Sequence, residues 1–142
     1  MTSGGKMHKF NPIPKWSPDG DCCQIGSFII NRISDIEDVP FPAHVIYPCA
    51  THEIITNLRE ILAPRHFGND PQDILLSFHS FLIKTSNHNI LVDTCCGNNK
   101  QRPTRPAWHM QKGPFLENLS SVGVTPEQID FVLCTHLHAD HI

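Results

Sequence analysis

The sequence predicts an α/β fold, because strand and helix patterns alternate through its second half. Its 142 residues are the length of one ordinary domain, which excludes a multi-domain machine. Hydrophobic residues make up 39% of the chain, which is enough for a core and argues against disorder. We therefore expect residues 1–21, which are rich in Gly and Pro, to be an irregular lead-in and residues 22–142 to form one domain.

The first part of that domain combines one strand, a loop and one helix. Residues 24–33 are rich in isoleucine and predict the first strand, whereas Pro40, Pro42 and Pro48 predict a loop. Thr51 can cap a helix that Pro64 stops. The apolar residues of this helix recur on one face, which predicts packing on a core; they are Ile54, Ile55, Leu58, Ile61 and Leu62.

The second part predicts a hairpin followed by a strand–helix–strand unit. Apolar runs at 74–83 and 90–92 flank a segment of turn-forming residues, and the second run ends at Asp93. Residues 113–123 predict a short helix, with an apolar face formed by Phe115, Leu116, Leu119 and Val122. A capping box at 125–128 precedes the apolar run 131–135, which predicts a strand buried on both faces.

Charge and cysteine usage exclude several classes of protein. The net charge is -3, and Lys and Arg do not cluster, so a nucleic-acid-binding surface is not expected. No apolar run approaches the roughly 18 residues of a membrane span, and the start of the chain does not resemble a secretory signal. The six cysteines form no Cys-x-x-Cys pair. We therefore expect reduced thiols and a cytoplasmic location.

A cluster of potential metal ligands follows the last predicted strand. His136, His138, Asp140 and His141 lie within six residues. A shuffled sequence of this composition would contain such a pattern roughly 0.003 times. In an extended chain His136, His138 and Asp140 would share a face, whereas a helix that starts after His138 would bring His138 and His141 together. The alternative is a polar loop in which the histidines bond to one another and to solvent.

Imidazole and carboxylate ligands together suit zinc, iron, manganese or cobalt. Without a nearby thiolate pair, the pattern argues against a closed structural zinc site. Four ligands so close in sequence cannot complete two metal sites, so further ligands must come from elsewhere. The other histidines are scattered without ligand spacing and are expected to be ordinary surface or hydrogen-bonded residues; they are His8, His44, His52, His66, His79, His88 and His109.

The segment 135–141 resembles the signature of the metallo-β-lactamase-fold hydrolases. The upstream run Leu91-Val92-Asp93-Thr94 resembles the second landmark of that superfamily. The segments 93–98 and 108–110 resemble the branch near the lactonases and methyl-parathion hydrolases. The resemblance implies an αββα sandwich of two sheets with outer helices. This chain is then expected to be an amino-terminal fragment, the first half of such a sandwich, because it stops one residue after His141.

Residue by residue, the resemblance implies two divalent metal ions, zinc in the first place, with iron or manganese as alternatives. His136 and His138 would bind one ion, and Asp140 and His141 the other. Asp93 would lie behind these ligands and steady their loop, although an aspartate after a strand can also simply cap a turn. Asp140 would in addition act as the catalytic residue that passes a proton to the leaving group.

The implied function is a metal-dependent hydrolase that uses a hydroxide bound to a dinuclear site. Its substrates would be small ester-like molecules, namely lactones, esters or phosphotriesters, and turnover is expected only in the complete chain. The alternatives are a nucleic-acid-processing hydrolase, an iron-dependent enzyme of the same fold, and an inactive or weakly metal-binding truncated chain. A homodimer is a further expectation, and a membrane partner is not expected.

Five more side chains carry expectations of their own. Trp108 and Phe115 are expected to pack in the core, and the wall of a substrate pocket is the alternative for both. Cys95 and Cys96 are expected to be small buried side chains, and Cys95 stands where many members of the resembled superfamily have glycine. Cys134 is expected in the core.

Overall fold

The computed structural model describes residues 14–63 and 65–142, so most of the predicted lead-in lies outside the described residues. Its strands are β1 Lys15–Trp16, β2 Cys22–Ile25, β3 Phe28–Pro42, β4 Asp73–Lys84, β5 Asn89–Val92 and β6 Phe131–Leu133. Its helices are α1 Ala43–Ile46, α2 His52–Leu62 and α3 Phe115–Ser121, with 3₁₀ turns at Pro106–Trp108 and Pro126–Gln128. None of the helices in the described ranges is long and apolar enough to cross a bilayer.

The strands form one sheet in the order β1-β2-β3-β4-β5-β6. Neighbouring strands are antiparallel, except that β5 and β6 are parallel. Parallel neighbours need a crossover connection, and here it contains α3 and the second 3₁₀ turn. The predicted strand–helix–strand order is therefore confirmed, and the ends of β5 and β6 lie side by side at one edge of the sheet.

The first strand is wrongly predicted, because residues 24–33 contain a turn. β2 ends at Ile25, and the chain reverses through Gly26 and Ser27 into β3. Gly26 has φ +62°, a left-handed conformation that a two-residue hairpin favours and that glycine adopts at little cost. An apolar run alone cannot reveal this reversal, since isoleucine stands on both sides of the turn, at Ile25 and at Ile29 and Ile30.

The loop predicted from Pro40 and Pro42 is also wrong, because β3 continues through both prolines. Strand β2 pairs with β3 only from Phe28 to Asn31, so the later part of β3 is bonded to β4 alone. Proline has no N–H to give to a ladder, and a strand edge without a second partner tolerates it. The register of β3 against β4 also shifts twice between Ser34 and Val39, which bends the strand.

The predicted hairpin between residues 74 and 92 is confirmed as β4 and β5. Thr85 stabilises its turn, since its Oγ1 accepts hydrogen bonds from the N–H groups of Asn87 and His88 at 3.1 and 2.8 Å. The hairpin therefore pairs β5 with β4, and Asp93 follows directly after the last residue of β5.

The core lies between the sheet and α3. It contains Ile33 of β3, Leu82 of β4, Leu91 of β5 and Leu119 of α3, together with Val124. Phe115 packs against this cluster, which confirms core packing rather than a pocket wall for its side chain. Leu116 does not follow the prediction, because its side chain is 54% exposed.

Helix α2 begins and ends as predicted, and the Ile54 N–H donates to the Thr51 Oγ1 at 3.3 Å. Its predicted core packing is mostly wrong. Ile55 is buried with Ala43 and Phe67 in a small second cluster. The other four apolar residues of the predicted face are exposed in the part of the chain that the structure describes; they are Ile54, Leu58, Ile61 and Leu62.

Strand β6 is wrongly predicted to be buried. The capping box at Thr125 and Gln128 forms as expected and leads into the strand. However, Phe131, Val132 and Leu133 are each more than half exposed, and Cys134 is exposed rather than in the core. The reason is position, because β6 is the last strand of the sheet in the described residues and pairs only with β5.

A buried carboxylate, that of Asp35 on β3, anchors the loop that follows β5. Its Oδ2 accepts the Cys96 N–H at 3.1 Å, and its Oδ1 accepts the Gln111 amide at 2.9 Å. A Cβ added to Gly113 would lie 2.6 Å from the Asp35 Oδ1, so glycine permits this close approach. Burial raises the pKa of the Asp35 carboxyl above its ordinary value, although these hydrogen bonds and the Arg102 charge oppose the rise.

We predict that Leu82→Ala lowers the free energy of unfolding by about 2–5 kcal/mol, because it leaves a cavity in the core. Leu82 is fully buried, whereas Leu116 is exposed, so Leu116→Ala is the matched control and should change stability by less than about 0.5 kcal/mol. Urea unfolding followed by circular dichroism measures both changes. Equal effects of the two substitutions would contradict the core described here.

The raised pKa of Asp35 predicts a pH dependence of stability. A carboxyl whose folded pKa exceeds its unfolded pKa contributes its full stability below the unfolded value and loses it as the pH rises through the folded value. The free energy of unfolding of the unchanged chain minus that of Asp35→Asn should therefore fall as the pH rises above about 4, the ordinary pKa of an aspartate. Urea titrations at several pH values give this difference, and a difference that rises with pH would contradict the assignment.

Candidate metal centre

The segment after β6 forms a turn. It is neither the extended strand nor the helix that the sequence left open, since the His141 N–H donates to the His138 carbonyl at 3.0 Å and closes one turn. The Thr94 N–H holds the same turn from outside by donating to the His141 carbonyl at 3.1 Å. The turn folds the four predicted ligands back on themselves just beyond the strand end.

Three imidazoles lie against one another in this turn. The ring centroid of His136 is 4.6 Å from that of His138 and 4.0 Å from that of His141. The His136 Nε2 and the His138 Nδ1 are 2.8 Å apart, a hydrogen-bond distance. The Asp140 Oδ2 lies 3.4 Å from the His141 Nε2. The fold thus brings His136 next to His138, and Asp140 next to His141.

Asp93 directly follows β5 and forms hydrogen bonds with both ends of this turn. It is 7% exposed, and its Oδ1 accepts the Thr135 N–H at 2.7 Å while its Oδ2 lies 2.8 Å from the His141 Nδ1. The Thr135 hydroxyl is within 3.1 Å of both carboxylate oxygens. Because β5 and β6 are parallel neighbours, the residues after their carboxyl ends meet at the same edge of the sheet.

The charge of Asp93 fixes the proton on His141. Burial by itself would raise the pKa of Asp93, but the hydrogen bonds from Thr135 and His141 outweigh it and hold the pKa below its ordinary value. An ionised carboxylate accepts hydrogen bonds only, so the His141 Nδ1 must be the donor. The lone pair of a neutral His141 is then on Nε2, the nitrogen that faces Asp140.

Hydrogen bonds also determine which nitrogen carries the proton in His136 and His138. The Thr135 hydroxyl donates to Asp93, so its oxygen accepts from the His136 Nδ1 at 3.1 Å. The lone pair of the neutral His136 is then on Nε2, which accepts from the His138 Nδ1. One carboxylate therefore orients the protons of all three imidazoles. The sequence analysis did not identify Thr135 as a member of this hydrogen-bond network. Its only sequence signal is its position between a predicted strand and the first histidine.

The backbone around Asp93 is held in an unusual conformation. Asp93 and Cys95 have φ values of +63° and +57°, in the left-handed region that favours glycine. Cys95 is buried in this conformation, with its Sγ 3.1 Å from the Ser80 Oγ. Such a residue carries about 1–3 kcal/mol of strain that the surrounding structure must offset.

Cys95 and Cys96 are buried, as expected, and are poor candidates for metal binding. Their burial raises the pKa of each thiol to about 12, so both are protonated near neutral pH. The thiolate is the form of cysteine that binds metals. The donors available at this edge of the sheet are therefore imidazole nitrogens and the carboxylate of Asp140.

A cavity of about 480 Å³ adjoins the turn. His138 and Asp140 lie at one side of it, and Trp108 packs edge-on against Phe78 in its wall, 5.5 Å between ring centroids. The rest of the lining is mainly apolar and includes Val39, Phe41, Ile46 and Leu76. Trp108 thus lines a cavity, the alternative to the expected core packing, and the cavity has the volume of a small-molecule site.

The four predicted ligands bond to one another and to Asp93 instead of pointing at one common centre. In the described ranges, no group of three or more His, Cys, Asp or Glu side chains has the arrangement of a complete metal site. The donor chemistry nevertheless fits a transition-metal ion, since three imidazoles and a carboxylate lie within hydrogen-bonding range. His109 lies outside this cluster, and its Nδ1 accepts the Arg102 N–H at 2.9 Å.

Comparison with known proteins adds a family match for part of the chain and a shared fold. Residues 76–142 match the model of the metallo-beta-lactamase superfamily. No curated protein sequence matches the chain. A probable metal-dependent hydrolase from Staphylococcus aureus shares its fold with a TM-score of 0.66 and 22% identity, over 83% of this chain and 40% of that one.

Two further solved structures share the fold. The hydrolase AbOPH of the beta lactamase superfamily has a TM-score of 0.62 and 24% identity, over 85% of this chain and 37% of its own. AidC, a dizinc quorum-quenching lactonase in complex with the product N-hexnoyl-L-homoserine, has a TM-score of 0.63 and 17% identity, over 84% and 36%. The chain thus spans about two fifths of these relatives and has the α/β fold of that part of their domains. Residues 76–142 thus match the metallo-beta-lactamase superfamily model, and the chain shares the fold of these solved structures.

Proposed function

We propose that the protein is a metal-dependent hydrolase whose metal ligands include His136, His138, Asp140 and His141. One observation carries this proposal: Asp93 and the strand ends gather these four side chains at one edge of the sheet and fix their protons. A solvated polar loop would not need a buried carboxylate beneath it. The pairing of His136 with His138 and of Asp140 with His141 supports two ions, one for each pair.

Zinc suits this donor set best, and iron and manganese also accept imidazole and carboxylate ligands. When bound, divalent ions would lower the pKa of water to about 7 and polarise a carbonyl or phosphoryl oxygen. The residues of this chain do the remaining work. Asp93 holds a proton of His141 on Nδ1, which leaves Nε2 as the nitrogen that would bind a metal. The Asp140 carboxylate takes up the proton that the attacking water releases and passes it to the leaving group.

The substrate is proposed to be a small ester-like molecule with an apolar part. The cavity beside His138 and Asp140 is lined mainly by aromatic and aliphatic side chains, which would accommodate the apolar group next to the metals. AidC, one of the relatives, is a lactonase. Because the chain spans only about two fifths of its relatives, turnover on lactones, esters or phosphotriesters is proposed for the complete protein and not for these 142 residues alone.

The surroundings of the protein are part of the same proposal. Its six cysteines are free, which suits the reducing cytoplasm. Its net charge of -3 suits small molecules better than nucleic acid as a partner. These inferences rest on composition and chemistry, and the metal site does not depend on them.

We predict that His136→Ala and His138→Ala each weaken binding of Zn²⁺ or Co²⁺ by at least about tenfold, since each removes an imidazole ligand. Isothermal titration calorimetry near neutral pH measures the affinity. The matched control is His88→Ala, because His88 is an exposed histidine that lies near Asp130 at the other end of β6. Equal affinities for all three variants and the unchanged chain would refute the proposed ligands.

Asp93→Asn tests the support beneath the ligands. The amide nitrogen would face the His141 Nδ1–H or the Thr135 N–H, so one donor loses its acceptor and the proton of His141 is no longer fixed. Metal affinity should fall about 10–100-fold. Nitrogen chemical shifts of the His141 ring should show a mixture of tautomers in this variant.

The control for this test is Asp130→Asn. Asp130 also accepts a backbone N–H, that of Asn89 at 2.7 Å, but it lies at the start of β6, away from the turn. Its replacement should leave both the metal affinity and the His141 tautomer unchanged. A metal affinity that Asp93→Asn leaves intact would show that Asp93 only caps a turn.

A further inference from the structure

The turn that contains the proposed ligands has a second support, opposite to Asp93. The guanidinium of Arg102 donates through Nη1 to the Cys96 carbonyl at 2.6 Å and through Nη2 to the Ala139 carbonyl at 3.0 Å. Arg102 therefore joins the loop after β5 to the turn after β6. The planar fork of an arginine can hold two acceptors in fixed directions at once, which a lysine cannot do.

The Ala139 carbonyl is the backbone group of the turn whose orientation most directly affects the proposed ligands. Ala139 lies between His138 and Asp140, and its carbonyl belongs to the peptide that leads into Asp140. A peptide is planar, so fixing the direction of its carbonyl also fixes the N–H and Cα of Asp140. The side chains on both sides of that peptide face the cavity beside Trp108.

The residue that accepts the Arg102 Nη1 hydrogen bond, Cys96, is itself buried and held by hydrogen bonds. Cys96 is fully buried, and its N–H donates to the buried carboxylate of Asp35 on β3. The Arg102 main chain is itself held, since its N–H donates to the His109 Nδ1 at 2.9 Å. A continuous series of hydrogen bonds thus runs from β3 through Cys96 and Arg102 to the turn.

The two supports act on different parts of the turn. Asp93 contacts Thr135 and His141 at its two ends, whereas Arg102 reaches the peptide in its middle. Apart from Asp93 and Arg102, three residues form the described hydrogen bonds to the backbone of the turn from outside. Thr94 and Cys134 donate to the His141 carbonyl, and Lys100 donates to the Ile142 carbonyl. None of these reaches His138, Ala139 or Asp140.

We propose that Arg102 is a positioning residue that sets the direction of the Ala139 peptide and so places His138 and Asp140 for metal binding. This inference rests on the proposed function, because it concerns the same ligands. Arg102 binds no metal and touches no substrate. It acts through the backbone between two ligands, and its loss should therefore change metal affinity more than it changes the stability of the fold.

The test compares Arg102→Gln, Arg102→Lys and the control Lys112→Gln in Co²⁺ titrations followed by visible absorption. Lys112 is an exposed cation of the same loop that makes none of these contacts. Arg102→Gln should weaken Co²⁺ binding by about tenfold or more and alter the absorption bands, while Lys112→Gln should match the unchanged chain. Arg102→Lys keeps the charge but holds one carbonyl at most, so its affinity should lie between the two.

Urea unfolding of the same variants separates positioning from a purely structural role. The inference is supported if Arg102→Lys unfolds at the same urea concentration as the unchanged chain yet binds Co²⁺ more weakly. It is overturned if the Arg102 variants lose stability but keep Co²⁺ affinity and spectrum within about twofold of the unchanged chain. If the unchanged chain itself fails to bind Co²⁺, the proposed metal site is refuted, and this inference fails with it.

Discussion

The carboxylate of Asp93 is the constraint on which the rest of the site depends. It lies at the end of β5, buried, and accepts hydrogen bonds from Thr135 and His141 at the end of β6. A buried charge is tolerated only where donors compensate for its loss of water, and here the donors are the backbone and side chains of the turn. The charge and the turn therefore stabilise each other, and neither would keep its conformation alone.

The topology of the sheet explains why this contact is available. Among the described strands, only β5 and β6 are parallel neighbours, so their carboxyl ends lie next to each other at one edge of the sheet, and the crossover through α3 is what makes them parallel. The core of Ile33, Leu82, Leu91 and Leu119 fixes that crossover against the sheet. The apolar packing thus determines where the polar site forms, although none of the core residues has a part in its chemistry.

The loop after β5 adds a second layer of support that also depends on a buried carboxylate. Asp35 holds Cys96, and Arg102 connects Cys96 to Ala139 in the turn. Asp35 and Asp93 differ in one physical respect: burial raises the pKa of the first, while strong donors lower the pKa of the second. The carboxylate with the stronger donors is the one that contacts a proposed ligand directly.

The candidate site has a more local signal in the sequence than several parts of the fold around it. The four proposed ligands lie within six residues, and the hairpin, the capping box and the α3 crossover also have local signals. The prolines of β3, the turn at Gly26 and the exposure of β6 depend on which strands become neighbours, which no local pattern records. Arg102 was missed for the same reason, because its partner Ala139 is 37 residues away in the sequence.

X-ray absorption at the zinc edge on the Zn²⁺-loaded protein tests the central claim most directly. The account predicts a first shell of nitrogen and oxygen at about 2.0–2.2 Å, with the outer-shell scattering of imidazole rings that His136→Ala reduces. Sulfur at about 2.3 Å, or an imidazole signal that this substitution leaves unchanged, would contradict it.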